Sequence, residues 1–295
     1  MERKQFLQTL TTASLGAMSM KATQFVRQFE DAPGSEKMPL LFVGHGDPRN
    51  ALRNNAFTQS LARTGAAIAS NQPPRAVLVV SAHWLTRGSY VCAHPQPETI
   101  YDFGGFEQAL YEVQYPAPGA PEIAREVAAA IPEVEATEQW GLDHGAWTVL
   151  KHIFPKADIP VFQLSIDYHK PMQYHYDLAR KLRFLREKGV LILGSGNIVH
   201  NLRLSMPKLM QGDAAPFDWA MEFDEWVKGR IEARDFQALV DYDQQGQMAR
   251  LAVPTVDHYV PMLYNLALID PHETITQEYE EVSHGGMSMR TFRVG

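Results

Sequence analysis

The sequence predicts a single α/β domain in which a central, mostly parallel or mixed sheet is flanked by helices and the active site lies at the strand carboxyl ends. Three observations point there. Short apolar runs at 39–43, 76–80, 159–166 and 190–193 have the length and branching of strands buried on both faces. Stretches with helical apolar spacing separate them, the alternation expected of βαβ units. The first, second and fourth runs lead into a histidine, and ligands of open α/β sheets gather outside that end of the strands.

Composition narrows the function. The chain has 295 residues, 45% hydrophobic and 21% charged, enough for one sizeable core. A formal net charge of -7, with no run of lysine or arginine, argues against nucleic acid as a partner. Cys92 is the sole cysteine, so there is no internal disulfide or cysteine zinc cluster, and a metal would have to be held by histidine and carboxylate. Eleven histidines make that feasible. No run approaches the roughly 18 apolar residues of a membrane span.

Residues 1–37 stand apart from a catalytic domain at 38–295. Met1-Glu2-Arg3-Lys4-Gln5-Phe6-Leu7, followed by a mild apolar stretch at 9–20, resembles a twin-arginine export signal with lysine in the second position. Threonines and serines interrupt it, and no small-x-small cleavage site precedes Thr23. An amphipathic helix carrying Phe6, Leu7 and Leu10 is the equal alternative. Asp31-Ala32-Pro33-Gly34-Ser35-Glu36 reads as linker. The expected location is the cytoplasm, or the periplasm if the segment works as a signal.

Taken in order, the strand at 39–43 runs into Gly44-His45-Gly46-Asp47-Pro48, a tight glycine turn around a histidine. A helix at 57–69 ends at Asn71-Gln72-Pro73-Pro74, and the strand at 76–84 then carries His83. Thr99-Ile100-Tyr101-Asp102-Phe103-Gly104-Gly105-Phe106 is an aromatic loop, either outer packing or a pocket wall. The stretch 121–131 is a helix with proline first and Ile123, Val127 and Ile131 on one face. His144, between Asp143 and Gly145, sits on the turn opening a helix through His152. A helix at 171–188 should leave His169 and His175 exposed. Gly194-Ser195-Gly196 then reads as a glycine turn leading to His200, since the third glycine of a dinucleotide-binding fingerprint is missing. A helix at 217–231 should place Phe217, Trp219 and Trp226 in the core, and 234–250 is helix or connection. His258 begins a further helix beside Asp257, followed by an edge strand near 278–282 and a last strand at 288–294. His94, His272 and His284 fall in polar or turn contexts, where solvation is expected.

His45, His83, His144, His200 and His258 together are hard to explain as packing and favour a metal site. Segments 39–48, 76–84, 102–106, 115–119, 143–147, 163–167, 195–203 and 258–264 resemble, in order, the class III extradiol ring-cleavage dioxygenases, most closely the DOPA 4,5-dioxygenase branch. That resemblance implies His45, His83 and His258 as metal ligands, the last standing where other branches use glutamate. It implies His200 as the acid/base histidine and as a fourth ligand in a zinc-loaded form, with His144 on the substrate side. Two departures are the N-terminal extension and Asp47, which replaces a more usual serine and adds a carboxylate near His45.

The implied activity is ring cleavage of a DOPA-like catechol with incorporation of O2. Non-haem Fe(II) would serve it, and Zn(II) could occupy the isolated protein. The substrate pocket would draw on Asp47, Tyr101, Phe103 and Phe106, in a monomer or small homo-oligomer whose partners are a small aromatic diol and O2. The rivals are a zinc hydrolase, because histidine ligands beside a general base also activate water, and a non-enzymatic scaffold on the same fold.

Overall fold

A computed structural model describes residues 37–295, so the export-signal and linker readings, which concern residues 1–36, lie outside the described residues. The strands are β1 (Leu40–Gly44), β2 (Ala76–Thr86), β3 (Ser89–Cys92), β4 (Val134–Thr137), β5 (Val161–Asp167), β6 (Val190–Gly196), β7 (Ile275–Tyr279), β8 (Val282–Ser283), β9 (Met287–Ser288) and β10 (Thr291–Val294). The helices used below are α1 (Ala56–Asn71), α2 (Pro121–Ala130), α3 (His144–Ile153), α4 (Met172–Lys181), α5 (Leu202–Gln211), α6 (Asp218–Glu232) and α7 (Val260–Leu266).

Eight strands form one mixed sheet in the order β4-β3-β5-β2-β6-β1-β10-β7. Its centre, β5-β2-β6-β1, is parallel and corresponds to the four apolar runs. These strands are buried along almost their whole length because helices cover both faces, which is why their sequences do not alternate. The antiparallel β10 and β7 close one side, and β7 is half-buried throughout, as an edge strand should be. Strands β3 and β4 are too short and polar to show as apolar runs. Among the described residues no helix is long and apolar enough to cross a membrane.

Several expectations change on contact with the tertiary structure. The helix expected at 171–188 breaks at Leu182, whose amide bonds back to Ala179, and a second helix follows at Arg183–Glu187. The break turns Leu185 and Arg186 inward, where the buried guanidinium donates to Met38 O and Leu268 O and pairs with Glu273. His175, expected at the surface, is fully buried and lies 3.3 Å from the Tyr264 hydroxyl. Phe217, Trp219 and Trp226 are only half-buried, and the core face of α6 is instead Ala220, Phe223, Val227 and Ile231. The helical period holds, but the largest side chains flank the stripe rather than form it.

The glycines after the fourth run are not a turn, because Gly194 and Gly196 lie within β6. A Cβ on Gly194 would sit 2.2 Å from Asn265 Oδ1 and one on Gly196 2.2 Å from His258 O. Glycine therefore lets the segment entering α7, and α7 itself, lie directly on the strand. Register pairs Gly44 with Gly196 and Ser81 with Ser195, so β1 and β6 end level with Ser81 of β2, which itself runs on past them to Thr86 and carries His83.

Close approach also governs α1 on α3, where a Cβ on Gly65 would lie 2.1 Å from Ile153 O. Gly65→Ala is expected to cost about 1–3 kcal/mol through overpacking. Gly229→Ala, in α6 with nothing within 4 Å, is expected to gain about 0.5–1 kcal/mol from helix propensity. Denaturant unfolding of the two variants checks both signs, and a Gly65→Ala protein as stable as the parent would contradict the packing.

Candidate metal centre

Five chain segments deliver one histidine each to the carboxyl-end side of the sheet. His45 leaves β1 with its amide bonded to Gly196 O at 3.0 Å, and Gly46 in the left-handed region (φ 62°) turns the chain away. His83 lies in the part of β2 where pairing with β5 shifts register, between Val80 and Leu85. His144 is the first residue of α3. His200 bonds through its amide to Ala252 O and bridges to Met287. His258 precedes α7 and its carbonyl accepts the Asn197 amide at 2.9 Å.

The rings converge. Centroids are 5.0 Å apart for His45 and His83, 5.3 Å for His45 and His258, and 5.1 Å for His83 and His258, a nearly equilateral triangle. His144 lies 3.9 Å from His83 and 5.6 Å from His45. His200 stacks on His258 at 3.5 Å with planes 10° apart. Among the described residues, two groups bring three ligand atoms within 4.8 Å of one another: His45 with His83 and His144, and His200 with Asp257 and His258.

Hydrogen bonding decides which nitrogens are free. The Ser195 hydroxyl donates to Gly145 O at 2.5 Å, so toward His45 Nδ1, 3.0 Å away, it can only accept. His45 therefore carries its proton on Nδ1 and a lone pair on Nε2. His258 Nδ1 pairs with the Asp257 carboxylate. Asp102 accepts from both the amide and Nδ1 of His144, each at 2.9 Å, and its Oδ2 is also 3.4 Å from His83 Nδ1. An imidazole whose Nδ1 is held by an oxygen and whose Nε2 faces a common centre has the arrangement of a metal ligand.

Electrostatics agrees. Burial, reinforced by repulsion from neighbouring histidines, holds His45 and His258 well below the ordinary histidine range and pushes His83 down as well. Burial likewise pushes His200 down to about 4. All four are neutral at pH 7, as ligands must be. A cluster of neutral nitrogen donors suits zinc, iron, copper or nickel, so the residues present fit a divalent transition metal.

The carboxylates are distributed differently from what sequence neighbours suggest. Asp143, adjacent to His144, is turned away and caps α3 through Ala146 N while accepting the Ser81 hydroxyl at 2.6 Å. The partner of His144 is Asp102, 42 residues earlier. Asp47 caps the short helix Pro48–Leu52 and pairs with Arg49. Burial would raise its carboxyl, but the Arg49 hydrogen bonds outweigh that and lower it. Its charge is thus paired with Arg49.

Of the aromatic loop, Phe103 meets the His144 ring edge-on at 5.6 Å. Phe106 packs on Phe103 at 5.3 Å and lies under the Arg49 guanidinium at 5.6 Å. Tyr101 packs on Phe103 and Trp147, and its hydroxyl donates to Val113 O at 2.8 Å. Asp102 and Ser195 carry no local signal as site residues, since each acts across the fold on a histidine far away in sequence.

A mixed α/β sheet with a histidine cluster at its strand ends marks a metal-dependent class of enzyme. Residues 38–292 match the family described as the catalytic LigB subunit of aromatic ring-opening dioxygenase, and the chain belongs to that family. It is 44% identical over 268 residues to the Escherichia coli (strain K12) protein named 4,5-DOPA dioxygenase extradiol, covering 88% of this chain and 96% of that one. The Beta vulgaris protein of the same name is 34% identical over 226 residues, 75% of this chain and 83% of its own. A crystal structure of an uncharacterized Escherichia coli K12 protein superposes with a TM-score of 0.75 at 39% identity, covering 88% of this chain and 100% of that one.

Because Ser195 sets the His45 tautomer, Ser195→Ala is expected to weaken metal binding about 10–100-fold while the fold persists. Chelator-competition titration with Zn(II) checks this, and unchanged affinity would contradict the assignment.

Proposed function

We propose that this chain cleaves the ring of a catechol, DOPA or a close analogue, beside its diol with incorporation of O2, at a metal held by His45, His83 and His258. The observation that carries the reading is the nearly equilateral triangle of neutral rings at 5.0, 5.1 and 5.3 Å, two of them buried and the third, His83, half-buried. The family and the names of the two relatives support a ring-opening dioxygenase, and those names are the support for DOPA as the substrate.

A non-haem Fe(II) held by these three histidines would supply Lewis acidity and an electron path between a diol and O2. The remaining residues bind and move protons. His200, neutral and stacked on His258, accepts a proton from a catechol hydroxyl at its ring nitrogen and returns it as the ring opens. Its place in a donor group with Asp257 and His258 supports the further role of fourth ligand when Zn(II) fills the site. His144, held by Asp102 on one side and edged by Phe103 on the other, lies between the triangle and the aromatic wall, where it hydrogen-bonds the substrate. Phe103 and Phe106 supply the apolar side of the pocket, and Tyr101 packs against Phe103.

Loading apoprotein anaerobically with Fe(II), then adding a catechol and air, is expected to give a yellow ring-opened product. Zn(II) alone is expected to give none, and turnover with zinc alone would favour the hydrolase. Under metal saturation, His200→Ala is expected to lower kcat about 10²–10⁴-fold.

The pH profile follows from the same residue. His200 works as a base only when neutral, and burial has moved its pKa down to about 4, so activity is retained above that value and lost as pH falls through it. The acidic limb of kcat/KM is expected well below pH 6.5, and a midpoint at the ordinary histidine value would contradict the assignment.

A further inference from the structure

The loop carrying Asp102 is pinned to the chain that enters α3. Ile100 N donates to Leu142 O and Leu142 N to Glu98 O, both at 2.7 Å, and the Trp147 indole N–H donates to Ile100 O at 2.9 Å. Gly141 allows this contact, since a Cβ there would lie 2.2 Å from Glu98 O. The loop therefore presents the Asp102 carboxylate to two histidines at once: 2.9 Å to His144 Nδ1 and 3.4 Å to His83 Nδ1, from the same oxygen.

Resting on the metal reading above, we infer that Asp102 is a positioning residue that sets the tautomers of His83 and His144, and thereby keeps the site open to a cation. A carboxylate only accepts hydrogen bonds, so the His144 Nδ1 bonded to it carries the proton and leaves its Nε2 as a lone pair. At His83 Nδ1, 3.4 Å from the same oxygen and not hydrogen-bonded to it, the carboxylate's charge favours the same tautomer by repelling a lone pair. Ser195 imposes the same choice on His45. The consequence appears where His83 Nε2 and His45 Nε2 meet at 3.1 Å. With both protons on Nδ1, two lone pairs oppose each other across that gap and only a cation can satisfy both. With the His83 proton on Nε2, the same distance is a good N–H···N hydrogen bond, and the pair closes on itself without metal. Asp102 decides between those two states, and it does so from the loop that also carries Phe103. The substrate wall and the metal site thus share one anchor.

Asp102→Asn separates this role from mere packing because the amide has nearly the same shape. Its oxygen can keep the His144 amide, while its NH2 donates and so demands lone pairs on the two Nδ1 atoms. The experiment compares side-chain ¹⁵N NMR of apoprotein at neutral pH with Zn(II) affinity by chelator competition, for the parent, Asp102→Asn and Asp102→Glu. Parent apoprotein is expected to show His83 and His144 protonated on Nδ1. Asp102→Asn is expected to move the protons to Nε2 and weaken Zn(II) binding about 10–100-fold, and Asp102→Glu, still an acceptor, to recover part of both. Parent protein with His83 protonated on Nε2, or Asp102→Asn with unchanged tautomers and affinity, overturns the inference. Parent protein that binds no Zn(II) overturns the metal reading instead, and its tautomers still decide the role of Asp102. If Asp102→Asn does not fold, the tautomers seen in the parent spectrum alone uphold or overturn the role.

Discussion

Five imidazoles gathered in one buried place cannot share positive charge, and the structure around them follows from that constraint. Burial and mutual repulsion drive His45, His83, His200 and His258 toward the neutral form. A neutral imidazole has one donor and one acceptor, and both need partners once water is excluded. Oxygen atoms from Ser195, Asp102 and Asp257 take the donor side. His45 Nε2 and His83 Nε2 lie 3.1 Å apart, and with the proton of each ring on Nδ1, as proposed, the two lone pairs would oppose each other and suit a bound cation.

The sheet exists, for this purpose, to bring distant segments to one level. Parallel pairing brings the ends of β1 and β6 level with the stretch of β2 just before His83, and Gly194 and Gly196 let the segment of His258 lie against β6. Here His45, His144 and His258 are buried, while His83 and His200 are half-buried. The aromatic loop borders the cluster through Phe103. In the proposed reading, metal holding, proton transfer and substrate contact fall on different sides of one cluster.

The fold class was legible in the sequence because it depends on local pattern, as were His45, His83 and His200, each of which follows a short apolar run. His144, in a turn, and His258, at a helix start, carried no such pattern and were grouped with them through their number and the family resemblance. Elements failed to show where the pattern was weak or the reason lay elsewhere. Strands β3 and β4 have only four residues each. The break at Leu182 serves the burial of Arg186 against Glu273, far away in sequence. His175 looked exposed by its polar neighbours and is covered by Tyr264. The carboxylates were hardest, because an acidic residue beside a histidine in sequence is not one beside it in space. Asp143 caps a helix and Asp47 serves Arg49, while Asp102 reaches His144 across the fold.

The proposed chemistry stands or falls with His45, His83 and His258 as the metal ligands, although His144 shares a donor group with the first two. The decisive measurement is metal content and affinity for the five single histidine-to-alanine variants loaded with Fe(II) or Zn(II). One ion per chain is expected in the parent, lost in the variants at 45, 83 and 258. The ion is expected to be retained, with turnover impaired, in the variants at 144 and 200. An ion lost in His144→Ala and kept in His258→Ala would contradict this ligand set and place the metal in the other group.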